Sequence, residues 1–265
     1  MRTSPVSLSS ETIQFNDVNG TKRLGLIALA TDLTSEGDFY RQTPKSGVAI
    51  HVTRVAFENP TSPENLRKMG PHLTDAAHLL VPVKPLQAVC YSCTSASVVI
   101  GDAEITGAIQ KAVGNVPVVT PTAAARMAFS ALGAERIAVL TPYTISTSEP
   151  MAAYFAGHGL DVIRFDCLGL EDDRDMALVS DRTIINAAVA ADAPDTEALF
   201  ISCTGLPAIG VIFEIESRIG KPVVTSNQAS AWAMTRLSGF EDHKPLEYGR
   251  LFGHRLPEHA FEGDA

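Results

Sequence analysis

The stretches "YSCTSASVVIG", residues 91–101, and "ISCTGLPAIG", residues 201–210, share the tripeptide Ser-Cys-Thr. The chain has 265 residues and four cysteines, and two of these, Cys93 and Cys203, sit in that repeat. Other segments recur in the same order. "RLGLIALAT" at 23–31 resembles "RIAVLTPYT" at 136–144, and "GVAIHVTRV" at 47–55 resembles "GLDVIRFDC" at 159–167. "PVVTPTAAARMAFSALG" at 117–133 resembles "PVVTSNQASAWAMTRLSG" at 222–239. Four matches in one order, offset by 105 to 113 residues, argue for internal duplication over shared hydrophobic patterning.

Each half carries four short apolar, β-branched runs bounded by turn residues, as buried parallel strands do. They lie near Leu24–Ala30, Val48–Val55, Ala88–Ser92 and Val116–Thr120, then Ile137–Thr141, Val162–Asp166, Ala198–Ser202 and Val223–Ser226. Helical patterns alternate with them. "SPENLRKMGPHLTDAAHLL" offers Ser62 as N-cap and Pro63 at the first helical position. "SEPMAAYFAGHG" has a polar start, an early Pro150, and Gly157 and Gly159 as terminators. "AIGVIFEIESRIG" places Ile209, Ile212, Phe213, Ile215 and Ile219 on an apolar face ahead of Gly220. The expected fold is α/β: two pseudo-symmetric lobes, each a four-stranded parallel sheet flanked by helices.

Composition narrows the function. Hydrophobic residues at 45% and charged residues at 19% suit a soluble globular protein. A formal net charge of −9, with no Lys/Arg cluster, excludes nucleic acid and anionic membrane surfaces as partners. No apolar run reaches the length of a transmembrane helix, about 18 residues. Residues 1–22 read as a polar arm without the apolar core of a signal peptide. The acidic "GHRLPEHAFEGDA" at the carboxyl end reads as a surface tail. Four cysteines are too few for a disulfide scaffold, so the expected location is the cytoplasm.

Cys93 and Cys203 each follow a strand, where open parallel sheets bind ligands. Two such lobes facing each other through these ends place one thiol on each wall of a single interlobe cleft. A thiol before a helix N-terminus meets unpaired N–H groups that favour thiolate. Those groups, with Thr94, Ser95 and Ser97 on one side and Thr204 and Gly205 on the other, suit a substrate carboxylate. Cys90 and Cys167 lie within or at the end of apolar strands and read as inert filler. The C-x-x-C of Cys90 and Cys93 has no second half, so neither metal nor redox pairing is expected. The scattered histidines offer neither ligand nor base.

"LIALATDLTSEGDF", "CYSCTSASVVIGD", "LTPYT" and "SNQASAWAMTRLSG" resemble the aspartate/glutamate/hydantoin racemase superfamily, in its maleate cis-trans isomerase and arylmalonate decarboxylase branch. Within that branch the likeness is greatest to the ectoine-utilisation proteins, over roughly residues 22 to 240. The resemblance implies cofactor-free chemistry at a carbon next to a carboxylate. In racemases of this kind one thiolate removes a proton and the opposite thiol returns one. In the isomerases a cysteine adds to an alkene, the bond rotates, and elimination gives the trans diacid. Decarboxylases keep one of the two thiols, so two cysteines argue against decarboxylation.

The same resemblance makes Tyr143, with Thr144 beside it in "LTPYT", a carboxylate-binding residue. Asp32 stands where the isomerases usually carry Asn. An ionised Asp repels a second carboxylate and suits a cationic or amidine-like group, although an Asp here also serves as a helix cap. The implied substrate is therefore a small carboxylate or zwitterion such as hydroxyectoine, ectoine or a related diamino acid. Cys93 is expected as the first thiolate and Cys203 as the acid. The resemblance also implies lobes of 23–119 plus 228–265 and of 120–227, where duplication alone suggests a cut near 133, and a possible homodimer. The alternatives are a maleate-type isomerase and a non-catalytic two-lobed binding protein. The latter has no use for two thiols and needs an export signal.

Overall fold

The computed structural model describes residues 4–16, 20–82 and 84–258. Parts of the expected arm, 1–3 and 17–19, and of the tail, 259–265, lie outside the described residues. Eight strands form two four-stranded sheets. They are β1 (Lys22–Leu29), β2 (Val48–Val55), β3 (Ala88–Ser92) and β4 (Val118–Val119), then β5 (Arg136–Tyr143), β6 (Asp161–Leu170), β7 (Ala198–Ile201) and β8 (Val223–Thr225). Every pairing is parallel, and the strand orders are β2-β1-β3-β4 and β6-β5-β7-β8. The two halves share one topology, and all eight strands expected from the sequence form.

The duplicated sequence builds duplicated helix starts. After β4, Thr120 caps the helix Pro121–Leu132 by accepting from the Ala123 N–H, with Pro121 at its first position. After β8, Thr225 and Gln228 form a capping box on the helix Ser226–Leu237. Gly133 ends the first of these in the left-handed conformation, at φ 67°, which Gly holds without strain. Phe129 of Pro121–Leu132 stands edge-on to Phe155 and to Phe200 of β7, with ring centroids 6.4 and 6.1 Å apart. The helix Ser226–Leu237 packs against Ser35–Gln42 and β3. Trp232 in its centre is fully buried and donates its ring N–H to the His254 carbonyl at 3.0 Å. The start of the expected surface tail is thus tied to the core. Among the described residues no helix is long and apolar enough to cross a membrane.

Three helices differ from expectation. The region from Ser62 is not one helix but Pro63–Arg67, a 3-10 turn at Gly70–His72, and Leu73–His78. Gly70-Pro71 breaks it, because Pro71 lacks an N–H to continue the ladder. The second helix begins earlier, at Ile145, directly after β5, and so holds Pro150 in its interior. Ile209 lies in a separate 3-10 turn, and the α-helix runs Ile212–Ile219. The change of phase leaves Phe213 exposed while Ile212 and Ile215 are buried.

Candidate active site

β3 and β7 hold equivalent interior places in the two sheets, and Cys93 and Cys203 follow their carboxyl ends. Both thiols line one pocket between the lobes. Asp32, Ser95, Tyr143, Thr204 and Gly205 line it too. Thr94 and Thr144 do not. Thr94 turns away to donate to Ser226 Oγ at 2.8 Å, and Thr144 sits at the start of Ile145–Gly157 among Ser146 and Thr147. Leu29, Leu33, Phe57, Leu66, Met176 and Ala177 supply the pocket's apolar lining, and Asp173, Thr31 and Thr61 line it as well. Among the described lining residues there is no Lys, Arg or His. The space open to water centres is about 30 Å³, room for one or two waters. A roomier groove beside Phe165 and Cys167 contains neither paired thiol.

The two cysteine loops are unequal. Cys93 occupies the N-cap of the helix Thr94–Ile100, as the sequence led us to expect. Cys203 does not precede a helix directly, because a loop and a 3-10 turn separate it from Ile212–Ile219. Its backbone φ is 105°, outside the regions that side-chain-bearing residues favour. Such a conformation costs about 1–3 kcal/mol and persists only where the surroundings over-determine it. The turn directs the Gly205 and Leu206 N–H groups and the Tyr143 hydroxyl at the Cys203 sulfur. Cys93 has the Ala96 N–H and the Ser95 hydroxyl, whose oxygen is 3.8 Å from the sulfur.

The thiolate expectation reverses in the closed pocket. Burial pushes the Cys93 thiol up to about 12 and Cys203 up to about 11, and the neighbouring donors offset only part of that. Burial also pushes Tyr143 well above the usual range, so its hydroxyl stays a neutral donor. A second buried tyrosine, Tyr91, places its hydroxyl beside Cys93, which the sequence reading missed. Cys90 is fully buried in the core, its thiol also pushed up to about 12, first by burial. Cys167 is half-buried on the edge strand β6.

Asp32 is a cap. Its Oδ1 accepts from the N–H groups of Thr34 and Ser35 at 2.8 Å each, and its Oδ2 from Ser35 Oγ at 2.6 Å. Burial is the largest influence on it and raises its pKa. Hydrogen bonds close the lobes over the pocket. Thr34 Oγ1 donates to the Gly205 carbonyl at 2.8 Å, and Thr204 Oγ1 to the Ser92 carbonyl at 3.1 Å. Asn59 and Thr31 both donate to Asp173. Asn59 and Asp173 carry no motif, and only their proximity in space marks them.

Two like lobes of parallel sheet, meeting at a pocket that holds a thiol from each, define the aspartate/glutamate racemase-like class of α/β proteins, in its maleate isomerase branch. The family model of arylmalonate decarboxylase matches residues 65–252, more than half of the chain. The protein belongs to that family and is an enzyme. It is 35% identical over 153 residues to the arylmalonate decarboxylase of Bordetella bronchiseptica, a match spanning 57% of this chain and 63%, less than two thirds, of that one. It is 25% identical over 228 residues to the maleate isomerase of Nocardia farcinica, spanning 82% of this chain and 90% of the relative. Its fold is similar to that of a mutant Nocardia farcinica maleate cis-trans isomerase solved with a covalently bound succinylcysteine intermediate. That likeness has a TM-score of 0.78 at 23% identity and covers 88% of this chain and 98% of the other.

Proposed function

We propose that the protein is a cofactor-independent isomerase that works with Cys93 and Cys203 on a carbon next to a carboxylate. The observation that carries this reading is the pair of thiols in one pocket, each with its own set of hydrogen-bond donors. Cys203 alone stands in a strained turn, with the Gly205 and Leu206 N–H groups and the Tyr143 hydroxyl around its sulfur, and on that ground we take it as the working thiolate. This reverses the order expected from the sequence. The Cys203 thiolate removes the proton on the carbon, the electron pair moves into the carboxylate as an enolate, and the Cys93 thiol delivers a proton from the other face. The opposite enantiomer uses the reverse order. A general base of this kind contributes about 10²- to 10⁴-fold. Preorganised donors to the enolate typically contribute more.

Asp32, with no Lys, Arg or His among the described lining residues, disfavours a second carboxylate and supports a zwitterionic or amidine-bearing substrate. Hydroxyectoine, ectoine or a diamino acid derived from them has that chemistry, and our reading is accordingly a role in ectoine catabolism in a reducing cytoplasm. A second reading is cis-trans isomerisation, favoured by the succinylcysteine intermediate of the Nocardia farcinica neighbour. There one thiolate adds to an alkene carbon, the new single bond rotates, and expulsion of the thiolate restores the alkene.

Proton NMR in D₂O separates the two. The panel is hydroxyectoine, ectoine, 2,4-diaminobutyrate and its N-acetyl forms, aspartate, glutamate and maleate. Deuterium entering at the carbon beside the carboxyl or amidine supports proton transfer and names the substrate. Conversion of maleate to fumarate without exchange elsewhere overturns it in favour of addition and elimination.

A further inference from the structure

The two N–H groups aimed at Cys203 belong to peptide units whose carbonyls are held from outside the turn. In a planar trans peptide the C=O and the following N–H point in opposite directions. The Thr204 carbonyl accepts from Asn227 Nδ2 at 2.8 Å, which turns the Gly205 N–H the other way, toward the sulfur. The Gly205 carbonyl accepts from Thr34 Oγ1 at 2.8 Å, which does the same for the Leu206 N–H. Asn227 is itself fixed. It is buried, and the same Nδ2 donates to Asp38 Oδ2 at 2.8 Å, while Asp38 Oδ1 accepts from Arg41 at 2.6 Å. Turning the amide over would set its oxygen against both the Asp38 carboxylate and the Thr204 carbonyl, so its orientation is determined.

We propose that Asn227, anchored by Asp38, and Thr34 are positioning residues that aim two backbone N–H groups at Cys203 and so set the reactivity of that thiol but not of Cys93. Neither residue is placed to touch the sulfur. The proposal deepens the reading of Cys203 as a working thiol, and its test needs no substrate, so a wrong substrate assignment leaves it standing.

The test is alkylation of the native protein by iodoacetamide between pH 8 and 10, with Cys203 and Cys93 followed separately by peptide mass spectrometry. Both thiols share one pocket, so a change in access moves both rates together. Loss of an aimed N–H moves Cys203 alone. Asn227→Ala and Thr34→Val should each slow Cys203 about tenfold relative to Cys93, the worth of one hydrogen bond to a charged group. Asp38→Asn, which keeps an acceptor for Asn227, should slow it less than Asn227→Ala. If Asn227→Ala does not fold, Thr34→Val decides alone. A Cys203-to-Cys93 ratio unchanged in the folded variants overturns the proposal.

Discussion

Asn59 and Asp173 are joined by a reciprocal pair of hydrogen bonds across the cleft. Asn59 Nδ2 donates to Asp173 Oδ1 at 2.6 Å, and the Asp173 N–H donates to Asn59 Oδ1 at 3.1 Å. Thr31 Oγ1 adds a bond to the other carboxylate oxygen. Asp173 and Thr31 both line the pocket. With about 30 Å³ of space inside, the pocket must widen to take a substrate, and this latch is one of the contacts that hold it closed.

Loosening the latch should therefore expose both thiols together. A hydrogen bond to a charged group contributes about 1.5–3 kcal/mol, and Asp173→Ala removes more than one. Alkylation of Cys93 and Cys203 in this variant should rise about tenfold in parallel. Rates equal to those of the unaltered protein would show that the latch does not govern entry.

The positive φ of Cys203 makes the two simplest replacements unequal. Glycine holds φ of 105° without strain, whereas alanine does not. Cys203→Gly should be more stable than Cys203→Ala by about 1 kcal/mol, against the usual order. Urea denaturation of both variants measures this, and alanine proving the more stable would refute it.

Alkaline pH should weaken the fold through its buried thiols. Cys93 and Cys203 are raised from an ordinary 9.0 to about 12 and about 11. The folded state then holds its protons longer than the unfolded chain. Their stabilising contribution is complete below pH 9 and is lost as pH rises through 11 to 12. Replacing both cysteines by alanine should flatten the fall in stability between pH 9 and 11, by up to about 1.4 kcal/mol per thiol per pH unit. A parallel fall in the variant and the unaltered protein would place the alkaline sensitivity elsewhere.

Asp32→Asn separates the two duties of that residue. Asparagine keeps an oxygen for the Thr34 and Ser35 N–H groups and an amide that can donate to Ser35 Oγ, so stability should fall by no more than about 1 kcal/mol. The charge is lost, however, and selectivity should move about tenfold or more from zwitterions toward dicarboxylates. Competition experiments with a diamino acid and maleate read that ratio. An unchanged ratio would leave Asp32 with its hydrogen bonds to Thr34 and Ser35 as its one duty.

Much of the fold was legible because it is written locally. Runs of β-branched residues, the recurring Pro-Val-Val-Thr ahead of each long helix, and the paired Ser-Cys-Thr at strand ends locate eight strands and two equivalent loops. Helix bounds were less legible. At Pro150 and around Ile209 the chain context chose a start that the residue types alone did not dictate.

By itself the sequence determined the duplication, the parallel α/β architecture, and the placing of a cysteine after an interior strand of each half. Those follow from short-range patterns and the fixed geometry of parallel strands. Tertiary structure alone decided that Thr94 turns away from the pocket, that Cys203 takes a strained turn, and that burial outweighs the nearby N–H groups at both thiols. It also joined Asn59 to Asp173 and Asn227 to Asp38 across the two halves. Hydrogen-bond partners far apart in sequence, and the desolvation of a thiol, depend on which surfaces meet when the lobes close. No local pattern encodes that.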